Sequence, residues 1–92
     1  MRDYICRKHF AEILILLDKA PMSFNELLKT LNAYPDTLTR RLKEMGSAGL
    51  ITGIKMEGKL RYELTDNGKE AVKLLKDLQK ILDGLDEIIS SF

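Results

Sequence analysis

Apolar positions along the first half of the chain recur at helical intervals, with breaks where the residue chemistry forbids a helix. Tyr4, Phe10, Ala11, Ile13, Leu14 and Leu17 share one helical face, which predicts a helix over residues 3–19. Ala20-Pro21 ends it, because proline disfavours helical backbone in the residue before it. Ser23-Phe24-Asn25-Glu26 has the capping-box pattern, and Phe24, Leu27, Leu28 and Leu31 supply the buried side of a short second helix. Asn32-Ala33 is the turn after it. Pro35 suits a first helical position and opens a third helix over residues 35–48, closed by Gly49 in a left-handed conformation.

The period then changes from that of a helix to that of a strand. Leu50-Ile51-Thr52-Gly53-Ile54 is short and β-branched, and Leu60-Arg61-Tyr62-Glu63-Leu64 alternates apolar and polar residues as a half-buried strand does. Lys55-Met56-Glu57-Gly58-Lys59 between them reads as a hairpin tip. Thr65 caps a last helix that runs nearly to Phe92, with Gly84 as its weak point. The expected fold is mainly α with one small β-hairpin (α+β). Residues 1–65 form a compact unit and residues 66–92 a long helix belonging to the same single domain.

Two short helices joined by a tight turn make a helix-turn-helix, whose second helix lies in the DNA major groove. The third helix has the amphipathicity this requires. Leu38, Leu42 and Met45 fall on its core side, while Asp36, Arg40, Lys43 and Ser47 project opposite, with Thr37, Thr39 and Glu44 on the flanks. Hydroxyls suit phosphates or bases, and Arg40 suits bidentate recognition of guanine. Lys55 and Lys59 flank the hairpin tip and Arg61 lies just beyond, where they would meet backbone phosphates. Ser23 joins this expected DNA-binding set through its place at the start of the second helix.

Charge supports the same surface once it is divided along the chain. The 92 residues carry a net charge of only +1. Residues 1–65 hold +3 and residues 66–92 hold −2, and residues 35–61 contain six basic side chains against three acidic ones. A chain of this size has room for one small core, so self-association is a plausible source of added stability. Its longest apolar run, residues 13–17, is too short to span a bilayer, and no secretory leader opens the sequence. One cysteine fits a reducing, cytoplasmic setting.

Four segments carry a family resemblance: Ser23-Phe24-Asn25-Glu26-Leu27-Leu28, Tyr34-Pro35-Asp36-Thr37-Leu38-Thr39-Arg40-Arg41-Leu42-Lys43-Glu44-Met45, Ala48-Gly49-Leu50-Ile51, and Arg61-Tyr62-Glu63-Leu64-Thr65-Asp66-Asn67-Gly68. Together they resemble winged helix-turn-helix transcriptional regulators, above all the HxlR-type group, with the MarR and PadR groups as relatives. The resemblance implies that the helix opening at Pro35 reads DNA, that the hairpin is a wing, and that terminal helices pair two subunits. The chain departs from the HxlR pattern in lacking its core-helix tryptophan, its proline-rich wing and its early cysteine.

The last helix carries its own signal. Ala71, Leu75, Leu78, Leu82, Leu85, Ile89 and Phe92 step by fours and threes in a heptad-like seam, widened by Leu74, Ile81 and Ile88. A small core cannot cover such a length, so the far half is expected to pair with a second copy, in particular through Leu75, Leu78, Leu82, Leu85, Ile89 and Phe92. A twofold dimer would set two reading helices about one DNA turn, ~34 Å, apart.

Other chemistry is sparse. Cys6 and His9 stand at i and i+3 on the expected first helix, two ligands where a zinc site needs four. A metal across a dimer and a redox switch at Cys6 are the readings this pair leaves open. No nucleophile-base pair, phosphate-cradling loop or carboxylate dyad is present at recognisable spacing, so neither an enzyme nor a cofactor is expected. The partners expected are double-stranded DNA and a second copy of the chain, with a small-molecule effector possible between the last helix and the core. Beside a sequence-specific repressor, a sequence-tolerant architectural DNA-binding protein and a protein-interaction module remain open.

Overall fold

His9, in the left-handed region at φ 66°, decides where the first helix starts. The computed structural model describes residues 8–90. Helix α1 spans Phe10–Lys19 and buries Phe10, Ile13, Leu14 and Leu17. The helix expected over residues 3–19 therefore does not run unbroken, because Lys8 and His9 form a turn. The cause is tertiary: Arg41, far along the chain, donates from Nε to the Lys8 carbonyl at 3.0 Å and holds the chain in its bend. Tyr4, Cys6 and Phe92 lie outside the described residues.

Ala20 is extended, and Met22 then bridges Tyr62 through two backbone hydrogen bonds of 3.1 and 2.8 Å. Helix α2 spans Phe24–Leu31 with both halves of the Ser23/Glu26 capping box formed. It closes on Asn32, left-handed at φ 51°. Helix α3 spans Pro35–Ser47, with Pro35 in its first turn, Ala48 as C-cap and Gly49 at φ 77°. Its buried side is Leu38, Leu42 and Met45, as the periodicity requires, and Arg41.

Strand β1 spans Ile51–Met56 and β2 spans Lys59–Leu64, paired antiparallel from Ile51↔Leu64 to Met56↔Lys59. The five-residue tip expected at residues 55–59 is a two-residue turn instead. Glu57 and Gly58 both take positive φ, 54° and 76°, the requirement of the tight turn whose twist matches a hairpin. Lys55 and Lys59 accordingly lie within the ladder.

Helix α4 spans Asp66–Ser90 and passes Gly84 without a break, since one interior glycine costs only about 1 kcal/mol. Thr65 knots its start to the exit of α3: its hydroxyl donates to the Gly49 carbonyl at 2.5 Å and accepts from the Gly68 N–H at 3.1 Å. Gly68 is packed so closely that a Cβ there would lie 2.1 Å from the Leu50 carbonyl oxygen. The core joins α1, α2, α3, both strands and the first turns of α4, where Val72 is buried. Beyond Leu75 the helix leaves that core, and the molecule measures 55 × 27 × 23 Å.

Candidate nucleic-acid interface

Helix α3 turns Asp36, Thr39, Arg40, Lys43 and Ser47 to solvent, with Thr37 half-buried. Arg41 follows Arg40 directly but lies on the core side, 9% exposed, bonded to the Lys8 carbonyl and paired with Glu44 at 3.1 Å. Of the two arginines, only Arg40 is available to a ligand.

Two grooves lie between the helix-turn-helix and the hairpin. One, about 220 Å³, is lined by Thr39, Lys43 and Leu42 of α3 together with Phe24 and Tyr62. The other, about 610 Å³, is lined by Ser23, Phe24, Asn25 and Glu26 at the start of α2 and by Lys59, Leu60, Arg61 and Tyr62 of β2. Phe24 and Tyr62 belong to both grooves. Through these two residues the grooves adjoin, and their combined lining includes Ser23, Thr39, Lys43, Lys59 and Arg61. Lys55 pairs with Leu60 across the ladder, so it shares the strand face of Tyr62, whereas Lys59 and Arg61 lie on the opposite face.

Two expected contacts have engagements of their own. Arg61 Nη1 lies 2.7 Å from Glu26 Oε1, so its charge is already met by a carboxylate. The Ser23 hydroxyl accepts the Glu26 N–H at 3.2 Å, and the Ser23 N–H donates back to Glu26 Oε1 at 3.3 Å. The Glu26 carboxyl is held below the usual glutamate range by that backbone N–H first, then by the Ser23 side chain, with Arg61 and Lys59 adding to it. Asp36 sits in the first turn of α3, where the helix dipole favours an anion.

Sequence reasoning passed over two residues. Tyr34, the N-cap of α3, makes no side-chain cap and is 75% exposed. An aromatic where a serine, threonine or aspartate normally caps was the available signal. Glu26 was read as a cap alone, and no local pattern announces its pairing with a residue 35 positions away.

The far half of α4 is bare. Leu78, Leu82, Leu85 and Ile89 are 44–69% exposed, and Leu74, Ile81 and Ile88 are exposed beside them. Leu75 is half-buried against the core, and Phe92 is outside the described residues. The depression near the start of α4, lined by residues that include Leu17, Pro21, Leu64 and Lys69, holds about 180 Å³, less than a ligand pocket of ordinary size. Among the described residues no three His, Cys, Asp or Glu side chains gather as a metal site, and no helix is long and apolar enough to cross a membrane. His9 faces Glu12, with Nδ1 3.3 Å from Oε1.

A helix-turn-helix flanked by a two-stranded wing is the winged-helix fold, and the proteins this chain is similar to are transcription regulators of that fold. The chain belongs to the family of unknown function DUF7346, which it matches over residues 7–76. It is 35% identical to an uncharacterised HTH-type transcriptional regulator of Methanocaldococcus jannaschii, over 90% of this chain and 81% of that protein. Among solved structures it is similar to a possible HxlR family transcriptional factor from Thermoplasma volcanium (TM-score 0.77, 21% identity, 94% of this chain and 81% of the other). It is also similar to the transcriptional regulator HlyU from Vibrio vulnificus (TM-score 0.69, 26% identity, 84% and 81%). The fold and class expected from the sequence are those found.

Proposed function

We propose that the protein is a homodimeric, sequence-specific DNA-binding repressor of the cytoplasm. Helix Pro35–Ser47 enters the major groove and the wing tracks the adjacent backbone. One observation carries this reading: the groove beside Thr39 and Lys43 of α3 adjoins, at Phe24 and Tyr62, the groove lined by Lys59 and Arg61 of the hairpin. Arg40 addresses a guanine edge, Asp36 suits a cytosine amino group, and Thr37, Thr39 and Lys43 meet bases or phosphates along the same helix. Ser23, Lys55 and Lys59 contact the backbone, and Tyr34 adds an aromatic contact at the helix entry. A bound dimer represses by occupancy, which requires no further surface.

The pairing is supported by the bare apolar stripe of α4, the kind of surface that marks an interface on a water-exposed helix. Twofold symmetry then matches a site with two half-sites about one turn apart. Selection from random duplexes followed by sequencing tests the whole reading. The expected result is an enriched inverted repeat with that spacing. Salt-dependent binding without enrichment would make the protein architectural, and no duplex binding at low ionic strength would leave a protein-interaction module.

A further inference from the structure

Two links fasten the wing to the helix-turn-helix, and they lie side by side. The first is the pair of backbone hydrogen bonds between Met22 and Tyr62. The second is the Arg61–Glu26 ion pair at 2.7 Å, one residue from the first along β2 and four residues from it along the other segment. Glu26 Oε1 serves the capping box and the ion pair at once, since it accepts the Ser23 N–H and also faces Arg61 Nη1. The guanidinium is thereby seated on the first turn of α2, where the capping box also holds the carboxylate. Lys59, two residues earlier on the same strand face, is exposed.

We propose that Arg61 is a positioning residue: its ion pair with Glu26 fixes the angle between the wing and the recognition helix, and phosphate contact falls to Lys59 and Lys55. The inference rests on the DNA-binding reading above and assigns Arg61 a different role within it. A guanidinium already facing a carboxylate displaces few counterions on meeting DNA. To reach a phosphate it would have to leave Glu26 and strand that carboxylate near the phosphate backbone. What the pair supplies is preorganisation: with both links in place, the wing needs no ordering when the duplex arrives.

The test uses the full chain and a random-sequence duplex, with binding measured across a salt series and well below each variant's unfolding midpoint. Glu26→Gln keeps the capping box, in which glutamine substitutes for glutamate, but removes the charge. Arg61→Gln removes the other partner. Each is expected to weaken binding about two- to fivefold, with the salt slope unchanged for Arg61→Gln. The double variant should be no weaker than either single one, and Arg61→Lys should restore part of the loss. Lys59→Gln, by contrast, should lower the slope by about one. Tighter binding by Glu26→Gln, or a slope loss by Arg61→Gln equal to that of Lys59→Gln, overturns the proposal by making Arg61 a masked phosphate ligand. If Arg61→Gln fails to fold, the sign of the Glu26→Gln effect decides alone. Absence of salt-dependent binding by the unaltered chain overturns the DNA reading itself, and the positioning role with it.

Discussion

Arg40 and Arg41 are neighbours in the chain with opposite surroundings, because successive helical residues point 100° apart. Arg40→Ala is expected to weaken binding to a selected duplex by about 1–3 kcal/mol and to relax preference at one base position, as read by competition against variant duplexes. Arg41→Ala leaves the base preference alone. It removes a hydrogen bond to the Lys8 carbonyl and one to Glu44, and should cost about 1–3 kcal/mol in chemical denaturation. Gly68 is tightly constrained as well. Its neighbour is a backbone carbonyl that cannot swing away, so Gly68→Ala should destabilise the fold by about 1–3 kcal/mol or more, measured by thermal unfolding.

Among the elements, the hairpin turn holds a removable strain. Glu57 occupies a left-handed position that asparagine accepts far more readily, beside a glycine that completes the preferred pair. Glu57→Asn should raise stability by about 0.5–1 kcal/mol in denaturant titration. The Glu26 link has a defined pH behaviour. Its carboxyl is depressed in the folded chain, so the stabilisation is complete above the ordinary glutamate value of about 4.3 and is lost as pH falls through the lower folded value. The unfolding midpoint of Glu26→Gln should therefore fall less than that of the unaltered chain between pH 5 and pH 3, the interval chosen around that value.

The same elements show what the chain states openly and what it does not. Helices α2 and α3 are legible because their ends are chemically marked: Ser23 and Glu26 at one start, Pro35 at the other, Asn32 and Gly49 at the stops. The apolar spacing of α3 gave its inner and outer sides, and so the exposed set around Arg40. The start of α1 was not legible, since the bend at His9 depends on a hydrogen bond from Arg41, 33 residues away from Lys8. The narrow hairpin tip was missed because Glu57 is a poor advertisement for positive φ. The engagement of Arg61 was missed for the reason that applies to α1, a partner far off in sequence.

At the scale of the molecule, α4 extends about 37 Å, and its outer half shows apolar side chains over about 120° of its circumference. Water-exposed leucines and isoleucines in that number support the proposed pairing. Leu82→Glu or Leu85→Glu should convert a dimer to a monomer in sedimentation velocity and lower affinity for the two-half-site duplex by about a hundredfold or more. The unfolding temperature of the unaltered chain should rise with protein concentration, and that of either variant should not.

The knot at Thr65 has a mechanical consequence. Bonds to the Gly49 carbonyl on one side and the Gly68 amide on the other, with Gly68 pressed on Leu50, weld the tail shaft to the end of the reading helix. Over a shaft of about 37 Å, tilting by five degrees at the far grip moves the near end by about 3 Å, close to one base-pair step. Under the proposed pairing, operator geometry follows from how the two shafts clasp, and inserting a single base pair between half-sites should be felt along the entire length.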